Sequence, residues 1–202
     1  MMKYLVLVCT LFIGLPSFAQ YVVRNGGYSV QCLNSPIKAL EIAEGEAQGA
    51  QIHYSTKRFY LTKASDLIGR IAAVDMEKAR KYLKWLGEWK SQIKWMAQLD
   101  QYSPHDQGKI KLPYTDCRLR VGIVQINETR FGVQQYWINP AVWNTMDEDQ
   151  KAALVLHELI YRDLLEENPN SNSSFVRQVN LKVHTLDLNN DRKAFIDLLR
   201  AL

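Results

Sequence analysis

Leu154–Asp163 reads L-V-L-H-E-L-I-Y-R-D, a His-Glu pair set inside an apolar run. On a wheel of about 100° per residue, the segment from Gln150 to Glu167 is apolar almost all round. Ala152, Ala153, Leu154, Val155, Leu156, Leu159, Ile160, Tyr161, Leu164 and Leu165 cover the circumference; the main polar gap holds Lys151, Glu158 and Arg162. A helix apolar on every side is buried, so this segment is expected to be the central helix of the domain. His157 falls in an apolar sector between Ala153, Tyr161 and Leu164. Glu158 points about a quarter turn away, beside Arg162 at the i+4 spacing that favours an ion pair. Buried polar groups need partners, so His157, Glu158, Tyr161 and Arg162 are expected to form one ordered cluster. Arg177, on the next helix, is the expected extra partner of Glu158.

Upstream of this helix, Thr145-Met146-Asp147-Glu148 has the form of a capping box, and Asn139-Pro140 reads as a cap and first-turn proline for a helical turn to Trp143. Cys117–Ile126 and Gly132–Ile138 alternate apolar and polar residues, predicting an antiparallel hairpin turned at Asn127–Phe131. Tyr82, Trp85, Leu86, Trp89, Ile93 and Met96 recur at three- and four-residue spacing, predicting a long helix from Met76 to about Leu99, followed by a loop over Asp100–Pro113. A weaker pattern predicts a helix over Leu61–Ala73, and Ser35-Pro36 reads as a helix start. Tyr28–Cys32 alternates like a short strand after the Gly26-Gly27 turn. Downstream, Asn168-Pro169-Asn170 stops the central helix; one helix carries Phe175, Val176, Val179 and Val183, and after a break at Asn189-Asn190 a last one carries Phe195, Leu198 and Leu199. The expected architecture is α+β, a helix-rich single domain with a small antiparallel β element and a buried central helix.

The first twenty residues, M-M-K-Y-L-V-L-V-C-T-L-F-I-G-L-P-S-F-A-Q, have the layout of a signal peptide. Lys3 gives the positive start, Leu5 to Leu15 the apolar stretch, and Ser17-Phe18-Ala19 the small-x-small cleavage rule, so residues 1–19 are expected to be removed and 20–202 to be the secreted domain. The apolar stretch is short of the roughly 20 residues that span a bilayer. Cys32 and Cys117 remain after cleavage, and two thiols in an oxidising compartment predict one disulfide. Closing a loop of that length stabilises a fold by roughly 4–5 kcal/mol in the chain-entropy view. The formal net charge of +4 is mild for 202 residues and predicts no nucleic-acid partner.

The His157-Glu158 pair on a buried helix resembles the zinc peptidases of the zincin type, whose H-E-x-x-H motif places two His on the metal and a Glu on the bound water. Here Tyr161 stands at the position of the second His, and a phenol with a pKa near 10 is a poor zinc ligand at neutral pH. No metal ligand set and no cofactor are therefore assigned. A broader likeness covers most of the mature chain and is most distinctive over Lys151–Asn180. The order of signal peptide, Gly-Gly strand with a cysteine, long helix, second cysteine, A-A-L-V-L-H-E-L-I-Y-R and V-R-x-x-N resembles a group of secreted bacterial proteins. That resemblance implies a shared fold and an exported location, without a catalytic assignment. It also implies that His157, Glu158, Tyr161, Arg162, Ser174, Arg177 and Asn180 form one spatial unit.

Two other constellations bear on function. Lysines interleave with Tyr82, Trp85, Trp89 and Trp95 on the long helix; Trp85 and Trp89 lie on its apolar stripe, whereas Trp95 falls off it and is the aromatic expected at the surface. Glu41, Glu44 and Glu46 have the residue type for paired-carboxylate glycoside cleavage but read as ordinary helix-surface glutamates. The expectation is an exported cell-envelope protein with a buried His-Glu-Tyr-Arg cluster. The alternatives are an envelope hydrolase acting on peptide or glycan through Glu158 and His157, or a non-catalytic module that binds an envelope peptide, glycan or membrane surface.

Overall fold

Glycines at two distant points of the chain set the bend of its β structure. Gly122 N and Ile123 N both donate to Gly27 O, at 3.0 and 3.2 Å, where the strands on either side change partners. A Cβ at Gly26 would fall 1.9 Å from Ile123 O, so only glycine permits this approach of two backbones. The structure is a computed structural model that describes residues 23–24, 26–99, 110, 112, 115–128, 133–169, 171–185 and 188–202. The expected leader at 1–19, most of the expected loop at 100–113 and the hairpin tip at 129–132 lie outside the described residues.

In chain order the elements are β1 (Val23–Arg24), β2 (Tyr28–Gln31), β3 (Lys38–Ala39), α1 (Leu40–Ala47), α2 (Tyr60–Ala72), α3 (Met76–Gln92), β4 (Ile93–Trp95), β5 (Arg118–Val121), β6 (Ile123–Glu128), β7 (Val133–Ile138), α4 (Pro140–Trp143), α5 (Glu148–Glu167), α6 (Ser173–Thr185) and α7 (Leu188–Arg200). One sheet has the order β1-β6-β7-β4, antiparallel except for the parallel β4–β7 pair; the other is antiparallel, in the order β3-β2-β5. The β6–β7 hairpin is in the expected antiparallel register, with Gln125 opposite Tyr136 and Ile123 opposite Ile138. The fold is a helix-rich α+β single domain.

Strand alternation divides the core in two. Ile123, Tyr136 and Ile138 face the helices and join the large cluster built on α2, α3, α5 and α6. Val124, Ile126 and Trp137 face the other way, onto Tyr28, Val30, Leu40 and Leu99. Cys32 and Cys117 form the expected disulfide at the edge of this smaller cluster, tying the end of β2 to the segment that enters β5. The central helix is as buried as its wheel demands: every residue from Ala152 to Tyr161 is buried. On its way out α5 presents Asp163, which accepts from Lys78 at 2.9 Å, Lys81 at 2.5 Å and the Tyr82 hydroxyl at 2.8 Å, fastening α3 alongside. Trp85 and Trp89 point into the large cluster, as their stripe requires. Among the described residues no helix is long and apolar enough to cross a membrane.

Four local expectations are corrected. The long helix ends at Gln92 rather than near Leu99, because Ile93–Trp95 joins the open edge of β7 as a parallel strand. The Thr145 capping box does not form: Thr145 Oγ1 donates back to Val142 O at 2.7 Å, and Asp147 caps α5 by accepting from Gln150 N at 2.8 Å. Ser35-Pro36 does not open α1, since Lys38–Ala39 pairs with β2 first and the helix starts at Leu40. Asn189 and Asn190 lie inside α7 rather than before it.

Candidate functional site

α5 is held on three sides before any of its polar residues is reached. Asp147 satisfies its first turn; Glu148 Oε2 accepts from Tyr60 N at 2.8 Å, and Gln150 Oε1 accepts from Ala39 N at 2.9 Å. These contacts fix the rotation of the helix, so neighbouring residues are delivered to different walls. Glu158 faces the sheet and His157 faces α1 and α6.

At the sheet wall, Gly27 O is already taken by Gly122 and Ile123, and the bend turns Gly27 N away from the strand ladder. That N–H donates to Glu158 Oε1 at 2.6 Å. The helix comes this close because the opposing positions lack side chains. A Cβ at Gly27 would lie 2.9 Å from Glu158 Oε1, and one at Gly122 would lie 2.9 Å from Leu154 Cδ1. Among the described residues Glu158 Oε2 has no hydrogen-bond partner, and of the charges near the Tyr136 hydroxyl that of Arg162 favours its ionisation while that of Glu158 opposes it. Burial pushes the Glu158 carboxyl up to about 7, with the charge of His157 and the Gly27 N–H limiting the rise. Burial likewise pushes the Tyr136 phenol up.

At the helix wall, His157 Nδ1 lies 3.4 Å from Glu41 Oε1. Asn180 Nδ2 donates both to that same Oε1 and to Ala153 O, the latter at 2.9 Å, so α6 links α1 to the backbone of α5. His184 Nδ1 in turn lies 2.9 Å from Asn180 O. Burial opposes charge on both members of the Glu41–His157 pair, but their mutual attraction, aided by His184 at Glu41 and by Glu158 at His157, outweighs it: the Glu41 carboxyl sits below its usual range and the His157 imidazole above its own. The pair is therefore an ion pair inside the core. Burial holds His184 below its ordinary value, so it stays neutral.

The five expected site residues separate. His157, Glu158 and Tyr161 are each at most 1% exposed, yet they serve three partners. The Tyr161 hydroxyl donates to Ser171 O at 3.4 Å, and its ring centroid lies 6.3 Å from that of His157. Arg162 does not pair with Glu158; its guanidinium lies 4.2 Å over the Trp85 ring and its Nε 3.6 Å from Glu166. Arg177 does not pair with Glu158 either; its Nε lies 3.6 Å from Glu44 Oε2, and its charge is felt by His157. Ser174 is engaged through its backbone N–H with Asn172. Asn180 joins the cluster through Nδ2 and its backbone oxygen, whereas Glu41, Gly27, Tyr136 and His184 are members that periodicity does not reveal. Glu41 had read as a surface glutamate and is 1% exposed. Its one local signal is position: it lies between Leu40 and Ile42 at the start of a short helix that is buried along most of its length.

Among the described residues, no three His, Cys, Asp or Glu side chains are grouped so that they could hold a metal ion. The donor set does not fit the zincin arrangement, because Tyr161 is turned to Ser171 and Glu158 is spent on a backbone amide. What the arrangement can do chemically is hold one buried charge pair and, at the adjacent residue, a carboxyl that gains and loses its proton around neutral pH. Compared with known proteins, the chain matches no family model, no curated protein and no solved structure.

Proposed function

We propose that this chain is an exported protein of the cell envelope, periplasmic or secreted, and that its His157-Glu158 helix is a structural knot rather than a catalytic centre. One observation carries the second statement: both side chains are sealed from solvent, and each is committed to a neighbour, His157 to Glu41 and Glu158 to Gly27. A residue that must meet a substrate needs a path to it, and a closed knot supplies stability instead. The disulfide between Cys32 and Cys117 supports export, since such bonds persist in oxidising compartments. Protein recovered from the envelope fraction is expected to begin at Gln20 on N-terminal sequencing; a chain retained in the cytoplasm would overturn the location.

A second reading, an envelope hydrolase with Glu158 as general base, is favoured by one feature. A buried carboxyl poised at about 7 with one oxygen unspent has the proton affinity that acid–base catalysis at neutral pH requires. Assays on peptide and glycan envelope substrates, with zinc content measured in parallel, separate the two. The structural reading expects no turnover that depends on Glu158 and no stoichiometric zinc. Turnover lost in a well-folded Glu158→Gln variant, or zinc that disappears in His157→Ala, would overturn it.

A further inference from the structure

All five tryptophans lie among the described residues, and they are not distributed alike. Trp85, Trp89, Trp137 and Trp143 are at most 8% exposed, whereas Trp95 on β4 is 57% exposed. A single exposed ring needs no explanation, but this one belongs to a series. The Trp95 ring meets the Trp143 ring edge-on at 6.4 Å, and Trp143 meets Tyr60 edge-on at 5.2 Å. Phe59, which precedes Tyr60 at the start of α2, is 60% exposed, and Tyr54 before it is also exposed. The buried Trp143 thus joins Trp95 to Tyr60, and the exposed Phe59 is the residue before Tyr60.

Two cations border these rings. Arg58 lies 5.4 Å over the Phe59 ring, and Lys57 beside it is exposed. Neither cation has a carboxylate within ion-pair distance among the described residues. The three acids at the start of α5 are already engaged. Asp147 caps the helix, Glu148 holds Lys151 at 2.8 Å and Asp149 holds Lys63 at 2.8 Å. An exposed Trp and an exposed apolar Phe ring beside cations match the lipid–water boundary. Aromatic rings settle there at headgroup level, while Lys and Arg are drawn to the negative surface.

We propose that this face, with Phe59 and Trp95 as its anchors and Lys57 and Arg58 as its charges, docks on an anionic phospholipid membrane surface. The inference is independent of the reading of α5, so either can fail alone.

The test uses the purified chain with vesicles of phosphatidylglycerol or of phosphatidylcholine. Because the other four tryptophans are buried, quenching by brominated lipid reads Trp95. Sedimentation with the anionic vesicles, Trp95 quenching there, and release at about 1 M salt, where the Debye length falls to about 3 Å, are expected. Neutralising both cations, by Lys57→Gln with Arg58→Gln, is expected to weaken partitioning about thirtyfold. Trp95→Ala should weaken binding without moving the thermal transition, because its side chain is mostly in water. Equal binding to both lipids, or binding untouched by Trp95→Ala, would overturn the proposal. So would capture on insoluble envelope glycan that depends on Trp95 without vesicle binding, which would give the same face to a sugar.

Discussion

His157 and Glu158 are adjacent on one helix and equally buried, yet the structure treats their protons in opposite ways. On the α1–α6 side His157 meets a carboxylate, Glu41, and both keep their charge. On the sheet side the one hydrogen-bond partner of Glu158 among the described residues is an uncharged backbone N–H, and burial pushes its carboxyl up to about 7. Depth of burial is common to both; the partner decides whether the core holds an ion or a proton. The same comparison separates structural from catalytic use of this helix, since a charged pair resists removal of either member and a protonated acid does not.

The largest expected effect is on the charged side. His157→Ala would leave the Glu41 carboxylate buried without its counter-ion, a class of change that costs about 3–5 kcal/mol. Urea unfolding at neutral pH is expected to show that loss with an unchanged dependence on denaturant. The double variant Glu41→Leu with His157→Leu should recover most of it, because removing both ions removes the uncompensated charge. If the double variant is as damaged as the single, the pair is not what the charge serves, and the comparison fails on its first half.

The next effect has the opposite sign. For Glu158 the folded-state value of about 7 stands above the ordinary 4.5, so the native state binds this proton more tightly than the unfolded chain. Stability is therefore lost as pH rises from about 4.5 to about 7, by about 3 kcal/mol in all, and stays lost above. Glu158→Gln keeps a carbonyl oxygen for Gly27 N and removes the ionisation. It is expected to match the parent at pH 4 and to be more stable, by up to about 3 kcal/mol, at pH 8. Thermal melts across that range check the sign; a variant weaker than the parent at pH 8 would show that Glu158 works as an anion.

Much of this architecture is legible residue by residue because it is periodic. The buried α5, the hairpin and the stripe of α3 each follow from spacing, and the disulfide follows from the two cysteines that an expected export signal would leave in the chain. The failures have a common physical form. Ile93 and Met96 continue the helical spacing of α3, but the open edge of β7 takes Ile93–Trp95, a contact no local pattern encodes. Thr145-x-x-Glu148 and Asp147-x-x-Gln150 are both acceptable caps, and the contact of Glu148 with Tyr60 N favours the second. The site suffers most. Glu158 finds its partner 131 positions away, and Asn180 reaches Glu41 across 139, so the expected i+4 partner Arg162 is pre-empted by contacts at a distance. Arg162 turns instead to Trp85, where its guanidinium stacks on an aromatic face.

The smallest expected effect tests how the sheet side is held. Gly27→Ala would place a Cβ 2.9 Å from Glu158 Oε1 and 3.0 Å from Leu154 Cδ2. Both are ends of side chains that can shift, so the cost is that of overpacking, about 1–3 kcal/mol, rather than of a backbone collision. The consequence for the proton is more telling than the loss of stability. The Gly27 N–H is one of the two influences that restrain the carboxyl, so moving the oxygen away raises the Glu158 value further. Gly27→Ala should therefore carry the upper end of the pH-dependent loss to higher pH while leaving the His157 side unchanged. In Gly27→Ala with Glu158→Gln that displacement should vanish while the packing cost remains. If instead Gly27→Ala leaves the pH profile where it was, the backbone amide does not govern this proton, and burial alone accounts for the difference between the two sides of α5.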